Sequence, residues 1–151
     1  MGTRRKADRI EIPWLVRRVV EFQAAESFPL EVAGILVGDH SRIETVGVIT
    51  KYDTRTNETI VYDDESNQRA DDVFGETVGS FHSHPGWPER ISRPGDYKNG
   101  VRKGCSDLEH MEDDDLEWIV SVWPGIRKWR FRHRLYARQG NRPLIVPIVW
   151  G

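Results

Sequence analysis

Val78-Gly79-Ser80-Phe81-His82-Ser83-His84-Pro85, followed by Ser92 and Asp96, is the stretch around which the chain is organised. Val78 to Phe81 read as the end of a short buried strand. Extended backbone turns successive side chains to opposite faces, so His82 and His84 project to the same side. Pro85 stops the strand, because it cannot donate to a ladder and restricts the residue before it. Two imidazoles at a strand end, with the Asp96 carboxylate twelve residues on, form a three-ligand set. A catalytic zinc site has that form: three protein ligands and an open fourth position that holds water. The competing reading is a pair of ordinary histidines beside a turn, since histidine occurs both inside and outside proteins.

Upstream, Pro29-Leu30-Glu31-Val32-Ala33-Gly34-Ile35-Leu36-Val37-Gly38 predicts a buried strand rich in β-branched residues, stopped by Gly38-Asp39. Glu31 stands at its mouth. A carboxylate there is either exposed at an edge or held for a purpose, because a buried glutamate needs a partner.

Together these two segments resemble the signature of the JAMM (MPN+) metalloprotease domain. That family joins His-Ser-His-Pro to a downstream serine and aspartate, and its upstream strand carries Glu-x-x-Gly-x-Leu-x-Gly. The family usually has two residues between the serine and the aspartate; here Arg93, Pro94 and Gly95 make three. The resemblance implies an α/β domain with a mixed, curved β-sheet flanked by helices, similar to the cytidine-deaminase-like fold. It implies one Zn²⁺ per chain held by His82, His84 and Asp96, and it makes Glu31 the group that moves the proton from water to the leaving amine. Ser92 becomes the donor to the oxyanion. The implied reaction is hydrolysis of the amide after the C-terminal glycine of a ubiquitin-like or sulfur-carrier protein. The implied partner is its Gly-Gly tail, added as a strand to a sheet edge, and its conjugates. The alternative from the same resemblance is an MPN-like scaffold that keeps the fold without the metal. A nucleobase deaminase is disfavoured, since those enzymes use a paired Cys-x-x-Cys and this chain has only Cys105.

The bulk properties set limits. At 151 residues the chain is one domain by prior, with 38% apolar and 30% charged residues. A net charge of −2 gives no global case for nucleic acid or an anionic membrane. Single Cys105 excludes an internal disulfide, and its polar surroundings offer no obvious base. No apolar run approaches the roughly 20 residues that span a bilayer. The expectation is a cytoplasmic protein that touches neither membrane nor nucleic acid.

In order, residues 1–11 read as a flexible basic arm and 12–151 as the domain. Pro13 suits a first helical turn, and Trp14 to Ser27 predict an amphipathic helix. Leu15, Val19 and Phe22 form its expected core stripe, widened by Val16 and Val20, with Arg17, Arg18, Glu21 and Gln23 outside. Strands are predicted over Ile43 to Tyr52 and Thr59 to Tyr62 and a short helix over Gln68 to Phe74; a helix after Asp96 is allowed, but Gly100 and Gly104 weaken it. Gly86 to Gly95 is a loop in which Trp87 either packs on substrate or fills a gap against its own loop. Glu109 to Glu117 reads as a solvated acidic linker. Trp118 to Trp123 is a strand, and Pro124-Gly125 turns it. Trp129, Phe131, His133 and Leu135 then alternate with Lys128, Arg130, Arg132 and Arg134. That basic face is either solvated and paired with the acidic loop or a docking surface for an acidic partner. His133 reads as packed rather than ligating. Leu144 to Trp150 is the expected closing strand.

Overall fold

The computed structural model describes residues 9–49, 54–55, 60–61, 77–86, 97–98, 101–102, 114–140 and 142–151. Strand β1, Ile10–Ile12, buries Ile10 and Ile12 in the core, so Ile10 and Glu11, placed in the arm by the sequence, belong to the packed fold. Helix α1 follows over Trp14–Ser27. Next come β2 (Ala33–Gly38), β3 (Ile43–Val48), β4 (Thr54–Arg55), β5 (Ile60–Val61) and β6 (Thr77–Pro85). The rest are β7 (Tyr97–Lys98), β8 (Val101–Arg102), β9 (Leu116–Pro124), β10 (Trp129–Gln139), β11 (Arg142–Val146) and β12 (Ile148–Trp150).

Six of these strands form one mixed sheet in the order β11-β10-β9-β6-β2-β3. Within it β6 and β9 run parallel and every other pair antiparallel. Alternation sorts the side chains between two faces. On one face Leu36, Phe81, Trp118, Val120, Val122, Leu135 and Ala137 pack with Val16, Val20 and Ala24 of α1 into the main core. The other face carries Ser80, His82 and His84 of β6 beside Glu117, Ile119 and Ser121 of β9. Gly79 makes the β6–β9 pairing close enough to form: a Cβ there would meet the Leu116 carbonyl oxygen at 1.9 Å.

Four expectations need correction. Val16 and Val20 of the expected stripe are buried, but Leu15, Val19 and Phe22 are exposed, and Glu21, expected outside, is buried with Ala24. Apolar residues occupy more than half of the helix circumference, and Glu21 decides its facing because it is paired inside. The predicted closing strand is two strands: Pro147 has no N–H to donate, and after it β12 leaves the sheet to pair in parallel with β1. After Asp96, where the sequence allowed a helix weakened by Gly100 and Gly104, β7 and β8 pair as antiparallel strands. Glu117 is no part of a solvated linker, since it is buried inside β9. The helix predicted over Gln68 to Phe74, Tyr52, Tyr62, Trp87 and Cys105 lie outside the described residues.

Candidate metal centre

β2 and β6 lie antiparallel with Ala33 opposite His82, which brings the residue two before Ala33, Glu31, alongside His84. Ser83, between the histidines and facing away from them, fastens this approach. Its N–H donates to the Val32 carbonyl, and its Oγ accepts from the Val32 N–H, both at 2.9 Å. The carboxylate of Glu31 is thereby delivered to the histidine face of the sheet. Glu31, His82 and His84 each offer one ligand atom, and these atoms all lie within 4.8 Å of one another. All three residues are buried, at 2%, 7% and 0% exposure.

The imidazoles meet through their Nε2 atoms, 2.8 Å apart. What sets this orientation is Glu117, one strand over. Its Oε1 takes a short hydrogen bond from His82 Nδ1, and its Oε2 another from the Ser80 hydroxyl. A carboxylate only accepts, so the proton of a neutral His82 sits on Nδ1 and the Nε2 lone pair faces His84. A buried lone pair aimed at a second ring nitrogen, between two buried carboxylates, is an arrangement that a cation satisfies.

The donor set therefore fits zinc in kind: imidazole and carboxylate, with a carboxylate behind the histidine. Tetrahedral zinc with bonds of about 2.0–2.1 Å would hold two nitrogens about 3.3 Å apart, so the rings would part by roughly half an ångström. Ser92 and Asp96 lie outside the described residues, so the three-ligand set expected from the sequence is met here by its two histidines. Glu31 stands with them. Glu117 was missed in the sequence. Its signal was available, since Leu116-Glu117-Trp118-Ile119-Val120 is an apolar run interrupted by one carboxylate, the same pattern that marked Glu31.

On the opposite face of the sheet a second buried polar cluster ties α1 down. The Trp118 Nε1–H donates to His133 Nδ1 at 3.0 Å, so His133 carries its proton on Nε2 and donates it to Glu21 Oε2 at 2.7 Å. Arg17 reaches the same Glu21 oxygen at 3.1 Å. Burial pushes the Glu21 carboxyl up, but the hydrogen bonds from His133 and Arg17, with the Arg17 charge, outweigh it and hold its pKa below the ordinary value. His133 is a packed, satisfied histidine, as its place on the apolar side of β10 predicted. A cavity of about 500 Å³ opens beside this cluster, lined by Arg17, Phe131, His133 and Trp150, and touches none of Glu31, His82 or His84.

The chain is similar to known proteins over most of its length. The model of the prokaryotic homologs of the JAB domain matches residues 15–96, a span that takes in Glu31, both histidines, Ser92 and Asp96. No curated protein matches. Among solved structures, a protein of Desulfitobacterium hafniense determined in solution is 16% identical with a TM-score of 0.67, covering 94% of this chain and 92% of its own. A structure described as a JAMM metalloprotease-like zinc site in the proteasome and signalosome is 15% identical with a TM-score of 0.46, covering 93% and 98%. A JAB1/MPN domain protein from Archaeoglobus fulgidus is 15% identical with a TM-score of 0.49, covering 93% and 99%. Among the described residues no helix is long and apolar enough to cross a membrane.

Proposed function

The chain belongs to the prokaryotic homologs of the JAB domain, and from that premise we propose that it is a zinc-dependent peptidase. Its bond is the amide after the C-terminal glycine of a ubiquitin-like or sulfur-carrier protein. The observation that carries this reading is the convergence of Glu31, His82 and His84, from segments 51 residues apart, with their ligand atoms within 4.8 Å. His82, His84 and Asp96 would hold the ion, which when bound supplies a polarised carbonyl and a water acidified to near neutrality.

The chain's own groups do the rest. Glu31, buried beside the histidines, takes a proton from water as the C–O bond forms and hands it to the nitrogen as the C–N bond breaks. Its burial keeps bulk water from that proton and strengthens its interaction with the ion. Ser92 donates to the carbonyl oxygen as negative charge develops on it. Glu117 holds His82 in the tautomer that presents Nε2. A catalytic base of this kind contributes about 10²–10⁴-fold in rate.

The test is zinc content by elemental analysis on wild type, Glu31→Gln and Asp96→Ala, followed by cleavage of Gly-Gly-linked fusions. The expected result is one zinc per chain in wild type and in Glu31→Gln, weak zinc in Asp96→Ala, and cleavage by wild type alone. A wild type that stays metal-free after zinc is added would overturn the reading in favour of the scaffold. Zinc bound equally by Asp96→Ala would leave a hydrolase with another third ligand.

A further inference from the structure

The β9–β10 hairpin lies at the same end of the sheet as the metal centre. β6 and β9 run parallel with Pro85 opposite Val122, and the Gly86 N–H donates to the Val122 carbonyl at 2.8 Å. The turn after Pro124 therefore projects from the end at which His84 and Glu31 meet. Phe28, three residues before Glu31, reaches the same end and packs against Trp129 with tilted rings, their centroids 5.1 Å apart.

Register also fixes which face the basic residues occupy. His84 pairs with Ser121, and Ser121 with Arg132; Trp123 pairs with Arg130. Paired residues point to the same face, so Arg130 and Arg132 share the face that carries His82 and His84. Two strand spacings separate Arg132 from His84, which is about 10 Å. The Arg132 guanidinium lies 5.6 Å from the Trp123 ring centroid, so it leans towards the hairpin end. Arg127, Lys128, Arg130 and Arg132 are all exposed. Among the described residues none of the four has a carboxylate partner. The acidic residues 109–113, with which the sequence reading could have paired this face, lie outside the described residues. At the tip Ile126 is 98% exposed, an apolar residue next in sequence to Arg127 and Lys128.

We propose that this hairpin is where the substrate protein docks, and that it receives an acidic segment about three residues from the scissile amide. The inference rests on the amide-hydrolase reading for the identity of the partner. The spacing follows from about 10 Å at about 3.3 Å per extended residue. The charge follows from complementarity: four clustered cations raise each other's energy until an anionic surface neutralises them. Arginine beside tryptophan, with one exposed apolar residue, is the composition of a protein-binding surface. A protein rather than a nucleic acid is the partner because the neighbouring centre is built for an amide.

Three peptide probes test it. All carry Leu-Gly-Gly before a scissile amide. One has Glu-Asp-Glu ahead of that tail, one has Gln-Asn-Gln there, and one carries the acids on the leaving half. With zinc-loaded wild type, an acidic probe is expected to show a KM about tenfold below the neutral one at low salt. That preference should shrink severalfold at about 0.5 M salt, where charges more than about 3–5 Å apart are screened. Arg130→Glu with Arg132→Glu should abolish the preference while zinc content and kcat on the neutral probe stay unchanged. Equal KM values across the probes, or a preference that survives the charge reversal, would overturn the proposal. Fluorescence anisotropy of a labelled uncleavable acidic peptide reads docking without cleavage. Arginine-dependent binding with no probe cleaved would refute the hydrolase reading and leave the docking surface standing. Cleavage without charge preference would do the reverse. A labelled single-stranded oligonucleotide that binds through the same arginines more tightly than the peptide would overturn the partner class.

Discussion

Glu117 is the residue whose replacement says most about how the centre is built. It accepts from His82 Nδ1 and from the Ser80 hydroxyl, and at 6% exposure it does so away from water. Glu117→Gln keeps an oxygen for the Nδ1–H, while Ser80 can rotate its hydroxyl to accept from the new amide. Geometry survives and the negative charge behind the imidazole is lost. Glu117→Ala removes both, leaving a buried Nδ1–H without its acceptor at a cost of about 1–3 kcal/mol. Carboxylates placed behind metal-bound histidines are worth about 10–100-fold in metal affinity. The expected order is therefore about tenfold weaker zinc for Gln and about a hundredfold for Ala, or about 1.4 and 2.8 kcal/mol. A competitive titration against a chromophoric zinc chelator at fixed pH reads this directly, and urea unfolding of the zinc-free proteins separates lost affinity from lost fold. Zinc affinity within about twofold of wild type in both variants would refute the positioning role. A loss in the alanine variant alone would assign the effect to the hydrogen bond and not to the charge.

Three further outcomes follow from the packing. Gly79→Ala drives a methyl to 1.9 Å from the Leu116 carbonyl oxygen, and the strand pair that carries the histidines must separate; a loss of about 3 kcal/mol in urea unfolding is expected. Glu21, held below its ordinary pKa in the fold, contributes stability that is complete above the unfolded glutamate value and is lost as pH falls through the folded one. Acid unfolding followed by circular dichroism should show that component, and Glu21→Gln should remove it. Because α1 buries Val20 and exposes Leu15 and Phe22, Val20→Ala should cost about 2 kcal/mol, while Leu15→Ser and Phe22→Ser each stay within about 0.5 kcal/mol. Equal costs at the two sets would mean the helix is turned the other way.

What could be read from the sequence divides along the distance over which each feature is decided. His82 and His84 were legible because a strand repeats every two residues, and nothing remote is needed to put both on one side. Glu31 was legible because one carboxylate at the mouth of an apolar strand demands a reason. The facing of α1 was not, since Trp14, Leu15, Val16, Val19, Val20 and Phe22 leave no single apolar stripe. The tie-breaker, the bond from Glu21 to His133, spans 112 residues of chain. Pro147 was a local signal and could have been weighted more heavily.

Glu117 shows why local rules fail at sites in particular. Its N-terminal neighbours are acidic, so composition assigns it to solvent, whereas its partners, His82 and Ser80, lie 35 and 37 residues away. A buried carboxylate is tolerable only where the fold supplies donors. The parallel β6–β9 pairing supplies them, with Ser80 directly opposite Glu117 and His82 two residues further along. Each polar residue of the centre is thus made affordable by a pairing that its own neighbours in sequence do not reveal. Glu31 depends in the same way on Ser83, whose two bonds to Val32 hold the end of β2 against the histidine strand. A buried polar residue that looks misplaced in its own segment is therefore the one whose long-range partner should be sought first. Among the described residues Glu21 leads to the cluster at His133, and Glu31 and Glu117 lead to the one at His82 and His84.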